Sequence, residues 1–245
     1  MKTNWYSKSA LALLVAGLLS TNAFATSIGV VGNTYGNEVS NLNSMVASGL
    51  PSGSSFTVMT GATFDATSIA DLRSSYDVLL FTWPGVSANT DWASRILPFL
   101  SLGGGVIFDG SADAPGGASG LTYGGGGGSM AISAVVPGLT DGITNDFANY
   151  HVVISSFDAS WNEFISFSSG GSAGVYGEIG GGRIIVTGPD QFFHGDPTYD
   201  VNQYNLGLNE LTWVSGASVP DTGSSILLFS CGLGMIAFFR RRLAK

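Results

Sequence analysis

Residues 76–110 read YDVLLFTWPGVSANTDWASRILPFLSLGGGVIFDG, and this stretch decides the fold. YDVLLFTW and GVIFDGSA each hold a short, nearly unbroken apolar run. Alternate side chains of a strand point to opposite faces, so a run without polar interruptions predicts a strand buried on both sides. Between the two, the pattern predicts a helix from Asp91 to Leu102, closed by the glycines that follow it. That helix should bend at Pro98, which lacks an N–H and crowds the preceding turn. Strand, covering helix and second strand together make the unit of a parallel sheet.

The alternation continues outward. SIGVV (27–31) predicts a buried strand, followed across Gly32–Gly36 by a helix running through Val46. SFTVMTG (55–61) predicts a second strand, and DATSIADLRSSY (65–76) a short helix with Asp65 as its N-cap. Downstream, Ala114–Ser129 (APGGASGLTYGGGGGS) breaks the pattern and reads as a flexible, glycine-dominated surface loop. AISAVV, HVVISSF, FISFSS and AGVYGEI follow, the last two joined by the turn SGGSAG. GGGRIIVTGPDQFF predicts a strand with a loop, and NLGLNELTWVSG a helix with Leu211 and Trp213 on its apolar side. The periodicity therefore predicts an α/β domain whose mostly parallel sheet is covered on both faces.

The two ends have a different character. Residues 1–25 carry Lys2 and Lys8, an apolar stretch from Ala10 to Leu19, and the small-x-small pattern of Ala23 and Ala25. That order predicts a secretory signal peptide, cleaved before Thr26. At the other end, Ser224–Phe239 is uncharged and Arg240, Arg241 and Arg242 follow it. About 16 helical residues reach roughly 24 Å, just short of a bilayer core, and snorkelling arginines close the gap. The arginines favour the cytoplasmic side. The expected topology places residues 26–218 outside, with the chain held at least transiently in the inner membrane.

Without these ends the basic residues are Arg73, Arg95 and Arg183, set against sixteen acidic ones, a formal charge of −13. Such a surface repels nucleic acid and excludes it as a partner. The only cysteine, Cys231, lies in the apolar tail, so the exported domain has no disulfide, thiolate nucleophile or cysteine metal site.

Val219-Pro220-Asp221-Thr222-Gly223, the apolar run and the terminal arginines resemble the PEP-CTERM sorting signals of Gram-negative bacteria, with Asp-Thr where the commoner form has Glu-Pro. The resemblance covers 219–245, with the membrane helix at about 224–239. It implies an exosortase-like protease as a processing partner, beside the signal peptidase that the N-terminal pattern implies, a final place at the cell surface or outside the cell, and extracellular polysaccharide as a neighbour. A second resemblance spans the domain. YDVLLFTWPG, LSLGGGVIFDG, VPGLTDGI, GGGRIIVTGPDQFF and NLGLNELTW resemble the class I glutamine-amidotransferase-like fold, especially its ThuA-like relatives. This implies a flavodoxin-like three-layer sandwich over 26–218. Amidotransferases of this fold use a cysteine, which the exported domain lacks, so that activity is not expected here.

Candidate chemistry is sparse. Gly170-Gly171-Ser172-Ala173-Gly174 has the G-x-S-x-G form, with Asp190 and His194 following in hydrolase order. It lies between two strand-like runs, where a hairpin turn accounts for it better than a nucleophile elbow, which needs a helix after it. No catalytic residue is assigned. Asp109, Asp113, Asp190, Asp196 and Asp200 offer hard oxygen donors near the strand carboxyl ends and are weak Ca²⁺ candidates, although the spacing is that of no tight calcium loop. Asn33, Trp83, Asp109, Asp190 and His194 are the residues expected to line a cleft at that edge. His151, at a strand start, reads as structural. Two functions follow: a non-catalytic binding or structural domain at the cell envelope or in the matrix, or an extracellular carbohydrate or ester hydrolase using the carboxylates with His194. Convergence of these groups distinguishes them.

Overall fold

Five parallel strands build the half of the sheet that carries the site. In a computed structural model of the chain, β1 (Ser27–Val31), β2 (Ser55–Met59), β3 (Val78–Phe81), β4 (Gly105–Phe108) and β10 (Gly182–Thr187) lie in the order β2-β1-β3-β4-β10. Every neighbouring pair among them is parallel. The structure describes residues 25–32, 34, 36–82, 92–110, 116–124, 127–145, 147 and 150–216. The expected signal peptide up to residue 24, the sorting tail, Asn33, Trp83 and Asp113 lie outside them.

The strands alternate as their sequence predicts. Ile28, Val30, Val78, Leu80, Ile107 and Ile185 face one apolar cluster, whereas Val31, Leu79, Phe81, Val106, Phe108, Ile184 and Val186 face another. Helices α1 (Gly36–Ser48) and α6 (Val201–Ser215) bring Leu42, Met45, Leu211 and Val214 to the first cluster. On the opposite side, α2 (Gly61–Ala66), α3 (Ile69–Ser75) and α4 (Leu97–Ser101) bring Phe64, Leu72, Phe99 and Leu100 to the second. Each fully buried leucine or phenylalanine contributes roughly 1.5–3 kcal/mol, so both faces hold the sheet. The architecture is a mostly parallel α/β sheet with helices over it.

Beyond β10 the sheet turns antiparallel. β9 (Ser172–Ile179) pairs with β10, and β8 (Asn162–Phe167) folds back on β9. Gly170 and Gly171, at φ 96° and 83°, form the predicted hairpin turn. β7 (Ile154–Phe157) and β5 (Leu121–Tyr123) extend one edge, and β6 (Met130–Ile132) pairs with β8.

Three local expectations change. The glycine-rich stretch 114–129 is not all loop: β5 lies inside it, pairs with β7 and buries Leu121 completely. Leu121 has a pocket to fill, and the Trp161 Nε1–H donates to Ser119 O at 2.8 Å, so tertiary contacts outweigh local glycine content. The segment 65–76 is not capped by Asp65, which sits within α2. Thr60 and Ser68 cap two separate helices, accepting from Thr63 N and Asp71 N at 3.1 Å each. Finally, Trp92–Ile96 forms a π-helical turn that leads into α4. Pro98 then falls in the first turn of α4, where its missing N–H costs nothing. Asp91 lies outside the described residues. Among the described residues no helix is long and apolar enough to cross a membrane.

Candidate functional site

Phe108 and Val186, at the carboxyl ends of β4 and β10, are register partners, so the residues that follow them emerge side by side. Asp109 leaves β4 directly. From β10 the chain runs through Gly188 and Pro189 to Asp190 and then the short helix α5 (Gln191–His194). The Asp109 carboxyl accepts from the backbone N–H groups of Gln191 at 3.2 Å and Phe192 at 3.4 Å, which ties the start of α5 to the end of β4.

Asp109, Asp190, Glu38 of α1 and Glu210 of α6 are all completely buried. Burial raises the Asp109 carboxyl well above its ordinary range, and the charges of Asp190, Glu210 and Glu38 add to the effect. Two long backbone N–H contacts do not offset this. Burial also raises Asp190, while the Asp109 hydrogen bond, His151 and His194 pull it back down. Both carboxyls thus sit above their ordinary range, Asp109 more strongly, because burial disfavours their charged forms. Glu210 is pushed up to about 8 by burial, with a hydrogen bond from Gln191 working against the shift.

The histidines sit at the rim of this cluster. His151 N donates to Gly188 O at 2.9 Å, and Gly188 N to Ala173 O at 2.6 Å. A Cβ on residue 188 would lie 2.3 Å from Val152 O, so only glycine lets the 151–153 segment lie this close. The approach leaves His151 Nε2 3.4 Å from Asp190 Oδ2. His194 closes the turn of α5, its N–H donating to Asp190 O at 2.9 Å. Its ring lies 6.5 Å from that of His151, centroid to centroid, and 20° from parallel.

An open groove of about 250 Å³ runs beside the rim, lined by Asn37, Ser40, Asn41, Phe193, His194, Asp196 and Tyr199. Asn41 Nδ2 donates to both Phe192 O and Phe193 O at 3.1 Å, so α1 and α5 hold the groove between them. Tyr199 is 90% exposed.

Of the residues expected in a cleft, the structure brings Asp109, Asp190 and His194 together; Asn33 and Trp83 lie outside the described residues. Of the calcium candidates, Asp109 and Asp190 form the buried pair and Asp113 lies outside the described residues. Asp196 closes a turn, accepting from Thr198 N at 2.7 Å and Tyr199 N at 3.0 Å. Asp200 caps α6, accepting from Gln203 N at 3.0 Å. Ser172 lies on β9 and hydrogen-bonds Glu163. Among the described residues, the group of three whose donor atoms converge as metal ligands is His151, Asp190 and His194.

The sequence reading passed over Glu38 and Glu210. Both stand on apolar stripes: Glu38 with Leu42 and Met45 on α1, Glu210 with Leu206, Gly207 and Val214 on α6. An acid in register with such a stripe was the available signal.

Residues 218–243 match the VPDSG-CTERM motif, with Thr222 where the motif's name has serine. This points to an exported, envelope-associated protein. A comparison with curated proteins gave no match. Solved structures share the fold. A cytoplasmic protein of Salmonella typhimurium is 12% identical, over 77% of this chain and 98% of that one, with a TM-score of 0.54. A Thermoplasma acidophilum protein described as part of a GMP synthase is 10% identical, over 79% and 96%, at 0.56. An exo-β-1,4-mannosidase of an Opitutaceae bacterium is 11% identical, over 86% of this chain but 38% of that one, at 0.52. These likenesses concern the fold, which is class I glutamine-amidotransferase-like.

Proposed function

We propose that the chain is an exported envelope protein whose α/β domain binds a sugar unit of an extracellular polysaccharide in the groove between α1 and α5, without turning it over. The observation that supports this is the separation of the buried acids Asp109 and Asp190 from the groove. Asp109 and Asp190 are sealed, whereas general acid–base catalysis needs a carboxyl within about 2.6–3.2 Å of the substrate proton, or one water away. The groove wall offers Tyr199 and Phe193 for the apolar face of a sugar ring, and the side chains of Asn37, Ser40 and Asp196 for its hydroxyls. The tail would be processed by an exosortase-type system, the apolar run 224–239 holding the chain in the inner membrane until then.

Isothermal titration of the protein with polysaccharide from its host tests the binding. Saturable binding that Tyr199→Ala abolishes supports the reading, and absence of binding rejects it. The intact mass of the protein from membrane and medium tests the tail: a chain ending within 219–223 means cleavage, one retaining Arg240–Lys245 means a permanent anchor.

One observation favours a second reading, the extracellular hydrolase. Asp109 and Asp190 converge with both carboxyls raised by burial, and His194 beside Asp190 lines the groove. Turnover of esters or glycosides that disappears in a folded Asp190→Asn variant would replace the binding reading with this one.

A further inference from the structure

We infer that His151, Asp190 and His194 form a binding site for a divalent transition-metal ion of the Zn²⁺ type at the rim of the groove. The inference does not depend on what the groove binds.

Geometry comes first. One ligand atom from each side chain lies within 4.8 Å of the others. The 3.4 Å between His151 Nε2 and Asp190 Oδ2 matches the edge of about 3.4 Å that ligand bonds of about 2.1 Å give in a tetrahedral site. The two imidazoles stand nearly parallel, their centroids 6.5 Å apart. His151 is exposed and His194 half-buried, so small side-chain rotations complete the approach.

The state of Asp190 is an independent observation. Its side chain is only 1% exposed. Neither of its oxygens has a hydrogen-bond partner of normal geometry among the described residues. A buried carboxylate left this way is costly unless a cation or donor meets it. Nor does any arginine among the described residues serve. Arg73 donates to Leu102 O and Tyr76 O, Arg95 to Phe64 O and Thr67 O, and Arg183 to Trp213 O. A bound cation would also offset the crowding of Asp190 with Asp109.

The donor set selects the ion. Two imidazoles and one carboxylate suit zinc, cobalt, nickel or iron, whereas calcium prefers six to eight oxygens. With three protein ligands, a fourth position stays open on the solvent side. His194 also lines the groove, so that position is within reach of a water or of a ligand oxygen there.

The test uses the full-length chain, stripped with chelator and titrated calorimetrically with ZnCl₂, with CoCl₂ as a spectroscopic probe. The expected result is one ion per chain, with visible Co²⁺ bands typical of low coordination number. Affinity should fall at least roughly tenfold in each of His151→Ala and His194→Ala. Neither substitution removes a fully buried side chain, and circular dichroism verifies that the variants are folded. Absence of zinc binding, binding unchanged in both variants, or calcium binding as tight as zinc would each overturn the inference.

Discussion

Gln191 of α5 and Glu210 of α6 are bonded side chain to side chain inside the protein: the Gln191 amide donates to Glu210 Oε2 and also to Thr187 Oγ1, the latter at 2.9 Å. Both residues are completely buried. The contact links the end of β10, the turn that carries Asp190 and His194, and α6, so the rim of the site rests on a polar chain within the core. A buried carboxyl is cheaper neutral than charged, and Glu210 accordingly rises to about 8.

Stability should therefore fall as pH rises. Glu210 keeps its proton in the folded chain up to about 8, but loses it near 4.5 when unfolded. Between those values the folded state binds more protons, so its contribution is full below about 4.5 and shrinks as pH climbs towards 8. The loss is on the order of a few kcal/mol. Urea unfolding at pH 5, 6.5 and 8 should show a declining midpoint. Glu210→Gln, neutral at every pH, should make the decline visibly shallower; an unchanged slope would refute the assignment.

Asp109→Ala should destabilise the chain by about 1–3 kcal/mol, because it strips the buried N–H groups of Gln191 and Phe192 of their acceptor. Hydrogen exchange at those two amides should accelerate more than exchange in β1 or β3. Uniform acceleration would mean that the carboxyl does not specifically anchor α5.

Gly188→Ala places a methyl group 2.3 Å from Val152 O, a clash with backbone rather than with a movable side chain. A loss of roughly 2–4 kcal/mol in denaturant unfolding is expected. If the variant folds with wild-type stability, the 151–153 segment is free to move away, and His151 is not held where the structure puts it.

Tyr199→Ala should leave the unfolding midpoint within about 0.5 kcal/mol of wild type, since the ring is 90% exposed. Polysaccharide binding should be lost nonetheless. Loss of stability alongside binding would mark Tyr199 as a packing residue.

The parallel half of the sheet was legible because its signal is local. SIGVV, VLLF, GVIF and RIIV are short apolar runs of the kind buried on two faces, and alternation assigned each side chain to its layer. The hairpin at Gly170–Gly171 was equally plain. β5 was not, since three residues within a glycine-rich stretch carry no period and became a strand only through pairing with β7 and burial of Leu121. Asp65 misled for a related reason: Thr60 and Ser68 were equally good caps, and packing chose between them.

At the site, residue types alone placed Asp109, Asp190 and His194 at one sheet edge, since each follows or closely follows a predicted strand. Their convergence and the arrival of Glu38, Glu210 and His151 depended on strand order and helix docking. The sequence determined by itself the strand pattern, the acidic charge of the domain, the absence of a thiol from it, and the terminal motif, because each is a property of neighbours along the chain. Only the tertiary structure decided which acids are buried together and which histidines face them, because those contacts join residues far apart along the chain, and the cost of burying charge is set by what the fold brings within a few ångströms.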